Sequence, residues 1–366
     1  MDNFFNNKNI NILYISLFFF FLSNKYFLLS ESLHYGAADG YFYNIIAENF
    51  PEFPREEINY HYAQRFLVPY FIGFLSKIFF LNTFLMFRII TVLLILSILA
   101  LFIKINKRLE IKPEIIFISS SILVLHPYLF RFYLATSTII IDLFFILSFL
   151  GIIISVIDKN KINLYLFIFI GLISRQTSLA FLIAFIFIFI SKNNKFLKYK
   201  DLFFILLMST IVLIIINKLA NNIFVSKDFP YQAVTGIIYY LFFNFNLINF
   251  IIFIFFALFG FFSIFVYYFL FKKKKSNFFF NEINIFILIS AIIIILQPIM
   301  GGPIISGKNI IRLTILCLPA ILIVINSQVE SKFSLTKKIF IIFLFLFSLH
   351  PTFSNIKYFI QLFVSL

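Results

Sequence analysis

One acidic residue stands out in the stretch LHYGAADGYFYNIIAENF, residues 33–50, of a chain in which 62% of residues are hydrophobic. Asp39 opens a predicted short amphipathic helix, which two prolines after residue 50 bring to an end. The helical repeat predicts an apolar stripe and a polar stripe, formed respectively by Phe42, Ile45, Ile46 and Phe50 and by Asn44 and Glu48. A carboxylate at this place has two interpretations, which are compatible. It caps the helix, or it is a catalytic base held at a membrane surface.

A second acid, Asp142, lies about one turn inside a long apolar stretch, in the segment ATSTIIIDLFF. An ionisable group within a membrane span is energetically costly, and it usually faces a functional interior. The alternative is a buried carboxyl group that bonds Thr138 or a neighbouring helix.

Cations recur in two later segments with the features of anion sites. Arg175 and Gln176 lie in GLISRQTSLA, a predicted tight turn between two spans. Lys308 and Arg312 lie in GGPIISGKNIIRL, where glycine-rich backbone beside cations is able to cradle an anion. An ordinary turn accounts for the second segment equally well.

The composition identifies the setting in which these residues act. Phe occurs 60 times, charged residues make up 12% of the chain, and the mean hydropathy is +1.03. Apolar runs near 20 residues long, separated by short polar segments, indicate an all-α polytopic membrane protein. The net charge of +15 comes from lysines at the ends of apolar runs, so it indicates topology and not nucleic-acid binding. Cys317 is the single cysteine, so no disulfide forms within one chain, and the four histidines show no metal-ligand spacing.

Basic loops predict the topology, because Lys and Arg concentrate on the cytoplasmic side. Five short basic loops are separated by pairs of apolar runs, at residues 104–112, 158–161, 192–200, 272–275 and 331–338. Placing all five inside gives a single transmembrane domain over residues 1–366, with about 11 spans and the N-terminus inside. The first predicted span runs to residue 23 and the second ends at residue 103. The others lie near residues 114–126, 138–157, 162–174, 177–191, 202–217, 248–271, 284–297, 313–326 and 339–350. Residues 24–83 then form a large first outer loop, in which the apolar piece 66–81 is an interfacial helix because Pro, Gly and Lys interrupt it.

Arginine does not follow the lysine pattern. In this topology 17 of the 23 lysines lie inside, whereas six of the seven arginines lie outside. Because arginine binds phosphate and carboxylate with two parallel hydrogen bonds, the skew predicts an anionic ligand at the outer surface. The alternative for any single arginine is that it snorkels or pairs with an acid of the first loop, namely Glu48, Glu52, Glu56 or Glu57.

The order of these motifs resembles the GT-C superfamily of integral-membrane glycosyltransferases, over most of the chain. The matching pieces are ADGYFYNIIAE (38–48), YAQRFLVPYFIGFLSK (62–77), STIIIDLFFILSFLG (137–151), LISRQTSL (172–179) and GKNIIRLTILCLPA (307–320). The resemblance puts Asp39 at the family's catalytic acid, and Arg65, Asp142, Arg175 and Arg312 at its later motif positions. Gln176 departs from the glutamate of many members, and Ser178 stands in place of a glycine.

The resemblance implies a bacterial enzyme of the inner membrane that faces the periplasm or exterior. It would take a sugar from a polyprenyl-phosphate donor and pass it to a glycan, lipid or protein acceptor. Asp39 would be the base, and the candidate substrate- and phosphate-binding residues would be Arg65, Asp142, Arg175, Gln176, Lys308 and Arg312. Some relatives use a divalent metal at the first acid, so Mg²⁺ or Mn²⁺ at Asp39 stays open.

Two other functions compete with this one. A polysaccharide polymerase of the O-antigen type also has many spans and outer arginines, but its large outer loop usually comes late in the chain. A lipid-linked glycan flippase or another transporter predicts internal repeats and acids at the membrane midplane. The sequence shows no repeat, and its polar residues gather at the predicted outer ends of spans.

Overall fold

A computed structural model describes residues 38–54, 58–190, 198–220, 225–226, 232–273, 282–306 and 309–330. The described chain is almost entirely helical. The predicted first span, the predicted last span and Lys308 lie outside these residues.

Within the described residues, three short helices precede the first long one. They are α1 (Ala38–Glu48), α2 (Tyr60–Ala63) and α3 (Leu67–Phe79). The two-residue strand β1 (Ile58–Asn59) precedes α2. One side of α3 packs against α1, whereas Phe71, Phe74, Ile78 and Phe79 on its other side are exposed. An exposed apolar face is expected of a helix that contacts lipid, and the interfacial position of residues 66–81 stays a prediction.

The remaining elements include four helices that are long and apolar enough to cross a membrane, at Thr83–Arg108, Ser137–Ile157, Tyr199–Ala220 and Glu282–Pro303. A bent pair of helices, Leu247–Phe259 and Phe262–Leu270, gives a fifth crossing if it is one span. Several shorter apolar helices lie among them. The protein is therefore a helical membrane protein by length and hydropathy, and the count of eleven spans stays a prediction.

We number the later helices in chain order: α4 (Thr83–Arg108), α5 (Pro113–Leu125), α6 (Phe130–Ala135), α7 (Ile141–Ile157), α8 (Lys161–Ser174), α9 (Leu179–Ile190), α10 (Tyr199–Ala220), α11 (Gln232–Phe243), α12 (Leu247–Phe259), α13 (Phe262–Leu270), α14 (Glu282–Ile305), α15 (Ile310–Thr314) and α16 (Leu318–Asn326). Short 3₁₀ turns join some of them, at Ser137–Ile139, Gln176–Ser178 and Ile315–Cys317. The strand β2 (Val225–Ser226) pairs in parallel with β1, and β3 (Lys272–Lys273) pairs antiparallel with β4 (Val329–Glu330).

The helix α7 lies at the centre of the bundle, and most of its length is buried, whereas most of α10 is exposed. The helix α7 packs along both α4 and α8. Stacked and tilted aromatic rings then connect α7 through α9 to α14, from Phe145 and Phe149 through Phe181 and Phe185 to Phe286. Because α7 is packed on several sides, its polar residues are held in fixed positions.

The helix α11 lies where the predicted topology has an outer loop, between residues 217 and 248, and it was not predicted. It packs along α14, whose backbone is kinked at Gly302. Gly302 has φ of +69°, and a Cβ atom there would lie 3.0 Å from the Cα atom of Ile237. Glycine is therefore needed both for the left-handed backbone and for the close approach of the two helices.

Ion pairs mark one end of the bundle. Asp158, after the last turn of α7, pairs with Lys104 and Arg108 near the end of α4, at 3.9 and 3.3 Å. Lys161 Nζ, at the start of α8, lies 2.6 Å from Asp201 Oδ2 at the start of α10. These pairs lie beside the predicted basic loops, and Asp142 and Arg175 lie at the other ends of α7 and α8.

Candidate functional site

Asp142 is the centre of a buried ion cluster, which we define as Asp142, Arg175, Arg312 and Tyr133. Its side chain is 2% exposed. Arg175 Nη1 donates a hydrogen bond to Oδ1, and the Tyr133 hydroxyl donates to Oδ2 at 2.9 Å. Arg312 Nε lies 3.5 Å from Oδ2. One carboxylate thus holds two guanidinium groups, which leaves the cluster with a net positive charge.

The cluster forms because several helices are interrupted where they meet. Arg175 has extended backbone, since α8 ends at Ser174 and a 3₁₀ turn begins at Gln176. The hydroxyl of Ser178 donates to the Arg175 carbonyl at 2.7 Å, and that of Ser174 donates to the Gly171 carbonyl at 2.7 Å. The same two carbonyls also accept backbone N–H groups, from Ser178 and Arg175 respectively, so these hydroxyls add second hydrogen bonds at the break.

Arg312 contacts the same carboxylate from a different helix. It lies on α15, a five-residue helix that packs against α12 and α14. Its guanidinium carbon is 5.9 Å from the ring centre of Phe132, in the cation–π range. Residues far apart in the sequence therefore share one carboxylate.

A polar row extends from the cluster toward the surface. Arg65 Nε donates to Gln176 Oε1 at 3.5 Å, and Gln176 Nε2 donates to Gln64 Oε1 at 3.0 Å. Gln64 Nε2 then donates to the exposed Asn217 Oδ1 at 2.9 Å. We call Gln176, Gln64 and Asn217 the amide row. Arg65 also donates from Nη1 to the Tyr43 hydroxyl at 3.3 Å.

The electrostatics of the cluster favour a fixed charge state. Burial raises the pKa of the Tyr133 hydroxyl well above its ordinary value, and the Asp142 carboxylate raises it further. Tyr133 therefore keeps its proton and donates a hydrogen bond to Asp142. Burial lowers the pKa of Arg175, which Asp142 opposes and the positive charge of Arg65 reinforces. Arg65 is thus close enough for its charge to act on the cluster.

One atom of the cluster lacks a protein partner. Within the described part of the chain, the buried Nε of Arg175 makes no hydrogen bond. Burying an N–H group without an acceptor usually costs about 1–3 kcal/mol. A bound anion beside Arg175 would supply that acceptor.

Asp39 lies in the first turn of α1, so it is inside the helix and not before it. Its side chain falls outside the described part of the structure. Asp39 precedes Tyr43, the partner of Arg65, by one helical turn, and α1 packs against the 3₁₀ turn that precedes Asp142. The backbone therefore brings the helix that carries Asp39 next to the ion cluster.

The structure brings together five of the residues that the sequence predicted as a site, namely Arg65, Asp142, Arg175, Gln176 and Arg312. Lys308 lies outside the described residues. Pairing with a first-loop glutamate was the alternative for each arginine; Arg175 and Arg312 both have Asp142 as a carboxylate partner. Glu48 instead accepts hydrogen bonds from Asn44 and Thr83, at 2.8 and 3.5 Å.

Four contributors were missed by the sequence analysis: Tyr43, Gln64, Tyr133 and Asn217. Gln64 had a signal, because it directly precedes Arg65 in YAQRFL. Asn217 had none, since it lies near the end of an apolar helix beside Lys218 and resembles an ordinary end of a span. Asn44 was predicted on a polar stripe; it is buried, and the Thr83 hydroxyl donates to its Oδ1 at 3.1 Å.

The described residues do not gather three or more His, Cys, Asp or Glu side chains in one place. The Asp142 carboxylate is already engaged by two guanidinium groups and a hydroxyl, so its contacts fit a counter-ion and not a metal ligand. A divalent metal at Asp39 stays the prediction that the resemblance made.

Comparison of the chain with protein-family models, with curated proteins and with solved structures gave no match.

Proposed function

We propose that the protein is a membrane glycosyltransferase that moves a sugar from a polyprenyl-phosphate donor to an acceptor on the outer face of the membrane. The observation that carries the proposal is the convergence of Arg175 and Arg312 on the buried carboxylate of Asp142, with Arg65 bonded to the adjacent Gln176. Three guanidinium groups against one carboxylate leave an excess of positive charge. Phosphate is the anionic group for which arginine geometry is best suited.

The outer placement rests on the two ends of the bundle. The basic connections lie beside the Asp158 and Asp201 ion pairs, and the cluster lies at the opposite ends of the same helices. Because basic connections favour the cytoplasm, this arrangement supports a cluster that faces outward. A lipid-linked donor would then have its chain among the helices and its phosphate at the cluster.

In the proposed reaction the acceptor hydroxyl attacks the anomeric carbon of the donor sugar. The bond between that carbon and the phosphate oxygen breaks, and the hydroxyl proton passes to the Asp39 carboxylate. Polyprenyl phosphate leaves with the bonding electron pair. Arg175 and Arg312, with Arg65 beside them, stabilise the charge that develops on the leaving phosphate. Fixed cations contribute most here because Asp142 and Tyr133 hold them in position before the reaction.

The proposal is tested by the binding of decaprenyl phosphate to the purified protein in detergent. The Arg65→Lys and Arg175→Lys variants keep the charge but lose the paired donors of guanidinium. We expect each to bind the lipid phosphate about 10- to 100-fold more weakly, the range for one lost charged hydrogen bond. Arg108→Lys, at the opposite end of the bundle, is the matched control and should bind as the wild type does.

Thermal unfolding of each variant separates lost binding from lost folding. If the wild-type protein binds decaprenyl phosphate and decaprenol with equal affinity, the cluster is not an anion site. Equal affinity in wild type, Arg65→Lys and Arg175→Lys would lead to the same conclusion.

A further inference from the structure

We infer that the amide row, Gln176, Gln64 and Asn217, is a recognition site for the hydroxyl groups of a sugar, next to the ion cluster. This inference rests on the proposed function and names the part of the substrate that the row would contact. Gln64 and Asn217 belong to the row because of their hydrogen bonds in the structure.

The first argument is chemical. Each amide offers an acceptor oxygen and two N–H donors, and each sugar hydroxyl both donates and accepts. The row is ordered in one direction, from Arg65 through Gln176 and Gln64 to Asn217. Gln176 and Gln64 each spend one N–H on the next amide. Within the described residues the second N–H of each, and both N–H groups of Asn217, make no hydrogen bond.

The second argument is position. Gln176 directly follows Arg175 in the chain, and Arg65 contacts Gln176 while its charge acts on Arg175. Gln64 and Gln176 are half-buried, and Asn217 is exposed. The row therefore begins beside the proposed phosphate site and ends at solvent. A sugar attached to a phosphate at the cluster would extend along neutral donors and acceptors and not along more charge.

The third argument is that the row is held in place by the backbone. Val225–Ser226, after α10, pairs in parallel with Ile58–Asn59, before Gln64. The pairing fixes the first loop over the end of α10 independently of the amides. Removing one amide is therefore expected to change recognition more than it changes folding.

The test compares two probes, decaprenyl phosphate and a panel of decaprenyl-phosphate hexoses and pentoses. Wild type should bind at least one member of the panel more tightly than the bare lipid phosphate. Gln64→Ala and Asn217→Ala should each weaken binding of that member about three- to tenfold, the range for one neutral hydrogen bond, and leave the bare probe unchanged. Asn163→Ala, an exposed amide toward the other end of α8, is the control and should change neither.

The outcomes separate this inference from the proposed function. If wild type binds the bare lipid phosphate but no member of the panel more tightly, the amide row does not recognise sugar. Equal weakening of both probes in Gln64→Ala and Asn217→Ala would assign the row a structural role and overturn the inference. Failure of wild type to bind either probe would overturn the proposed function itself.

Discussion

Asp142 shows how one carboxylate organises a site at the scale of a residue. It accepts hydrogen bonds from Arg175 and Tyr133 and lies 3.5 Å from Arg312 Nε, with almost no exposure to solvent. A buried carboxylate with these partners sets the orientation of both guanidinium groups. In the proposed reaction its role is to position the cations, and Asp39 is the base.

Replacing Asp142 should therefore be costly to folding. Asp142→Asn leaves two buried guanidinium groups without their counter-charge, and breaking a buried ion pair typically costs about 3–5 kcal/mol. Asp158→Asn is the matched control, because Asp158 and its partners are partly exposed and such pairs contribute about 0–1 kcal/mol. Unfolding in mixed detergents measures both free energies. Equal losses in the two variants would show that the cluster does not depend on its charge balance.

Asp39→Asn tests the other carboxylate without disturbing its helix. In the first turn, loss of a negative charge costs about 0.3–1 kcal/mol of favourable interaction with the helix dipole. Loss of a positioned base costs on the order of 10²–10⁴ in rate. We expect normal accumulation in the membrane and loss of sugar transfer in a purified assay.

Glu48→Gln is the control for this substitution, because Glu48 is an exposed acid on the same helix and should transfer at the wild-type rate. Wild-type transfer by Asp39→Asn would leave Asp39 with a structural role only.

At the scale of elements, the break between α12 and α13 positions Arg312. The two helices meet at an angle of 56°. The freed Gly260 carbonyl lies 2.8 Å from His126 Nε2, and the Ala257 carbonyl accepts from the Thr314 hydroxyl at 3.1 Å. Thr314 lies two residues after Arg312, so the break and the ion cluster are mechanically connected.

Gly260→Ala should disturb this connection. A Cβ atom at Gly260 would lie 2.3 Å from Cγ2 of Ile315, a contact that forces a shift. Overpacking of this kind costs typically about 1–3 kcal/mol, and we expect weaker binding of lipid phosphate as Arg312 moves. The double variant Gly260→Ala/Ile315→Ala makes room for the methyl group and should recover binding. If the losses of binding from the two single substitutions simply add in the double variant, the clash between residue 260 and Ile315 is not the cause of the loss.

The apolar spans could be located from sequence because hydropathy and helix length determine them. The predicted spans 138–157 and 162–174 differ from α7 and α8 by three residues or fewer at each end. The breaks could not be located, since residues 248–271 are apolar throughout although the helix bends at Gly260. Likewise a new helix, α16, begins at Leu318, with Pro319 in its first turn, inside the predicted span 313–326.

The site was predictable in part for a related reason. Arg175 and Asp142 are conspicuous because charge is rare in apolar segments. Gln64 is marked in the sequence only by its place before Arg65, and Asn217 is not marked at all. Their contact depends on the pairing of β1 with β2, which brings the two segments together.

At the scale of the whole molecule, the two polar ends of the bundle predict its orientation. Single cysteines introduced into a Cys317→Ser background report which end faces outward. A membrane-impermeant maleimide should label Glu52→Cys in intact cells, and it should label Lys107→Cys only after permeabilisation. Both positions are exposed in the structure. Labelling of Lys107→Cys in sealed cells would show that the orientation is the reverse of the predicted one and that the cluster does not face outward.

The ion cluster also has a consequence for the biosynthesis of the protein. Asp142 and Arg175 are 33 residues apart, so they are able to pair soon after both enter the membrane. Arg312 follows Asp142 by about 170 residues, which takes on the order of 10–30 s at ordinary translation rates. Throughout that interval the charged centre of the nascent chain lacks one of its guanidinium groups. Chains truncated before Arg312 would therefore be exposed to membrane proteases, and ribosome pausing late in the message would prolong this vulnerable state.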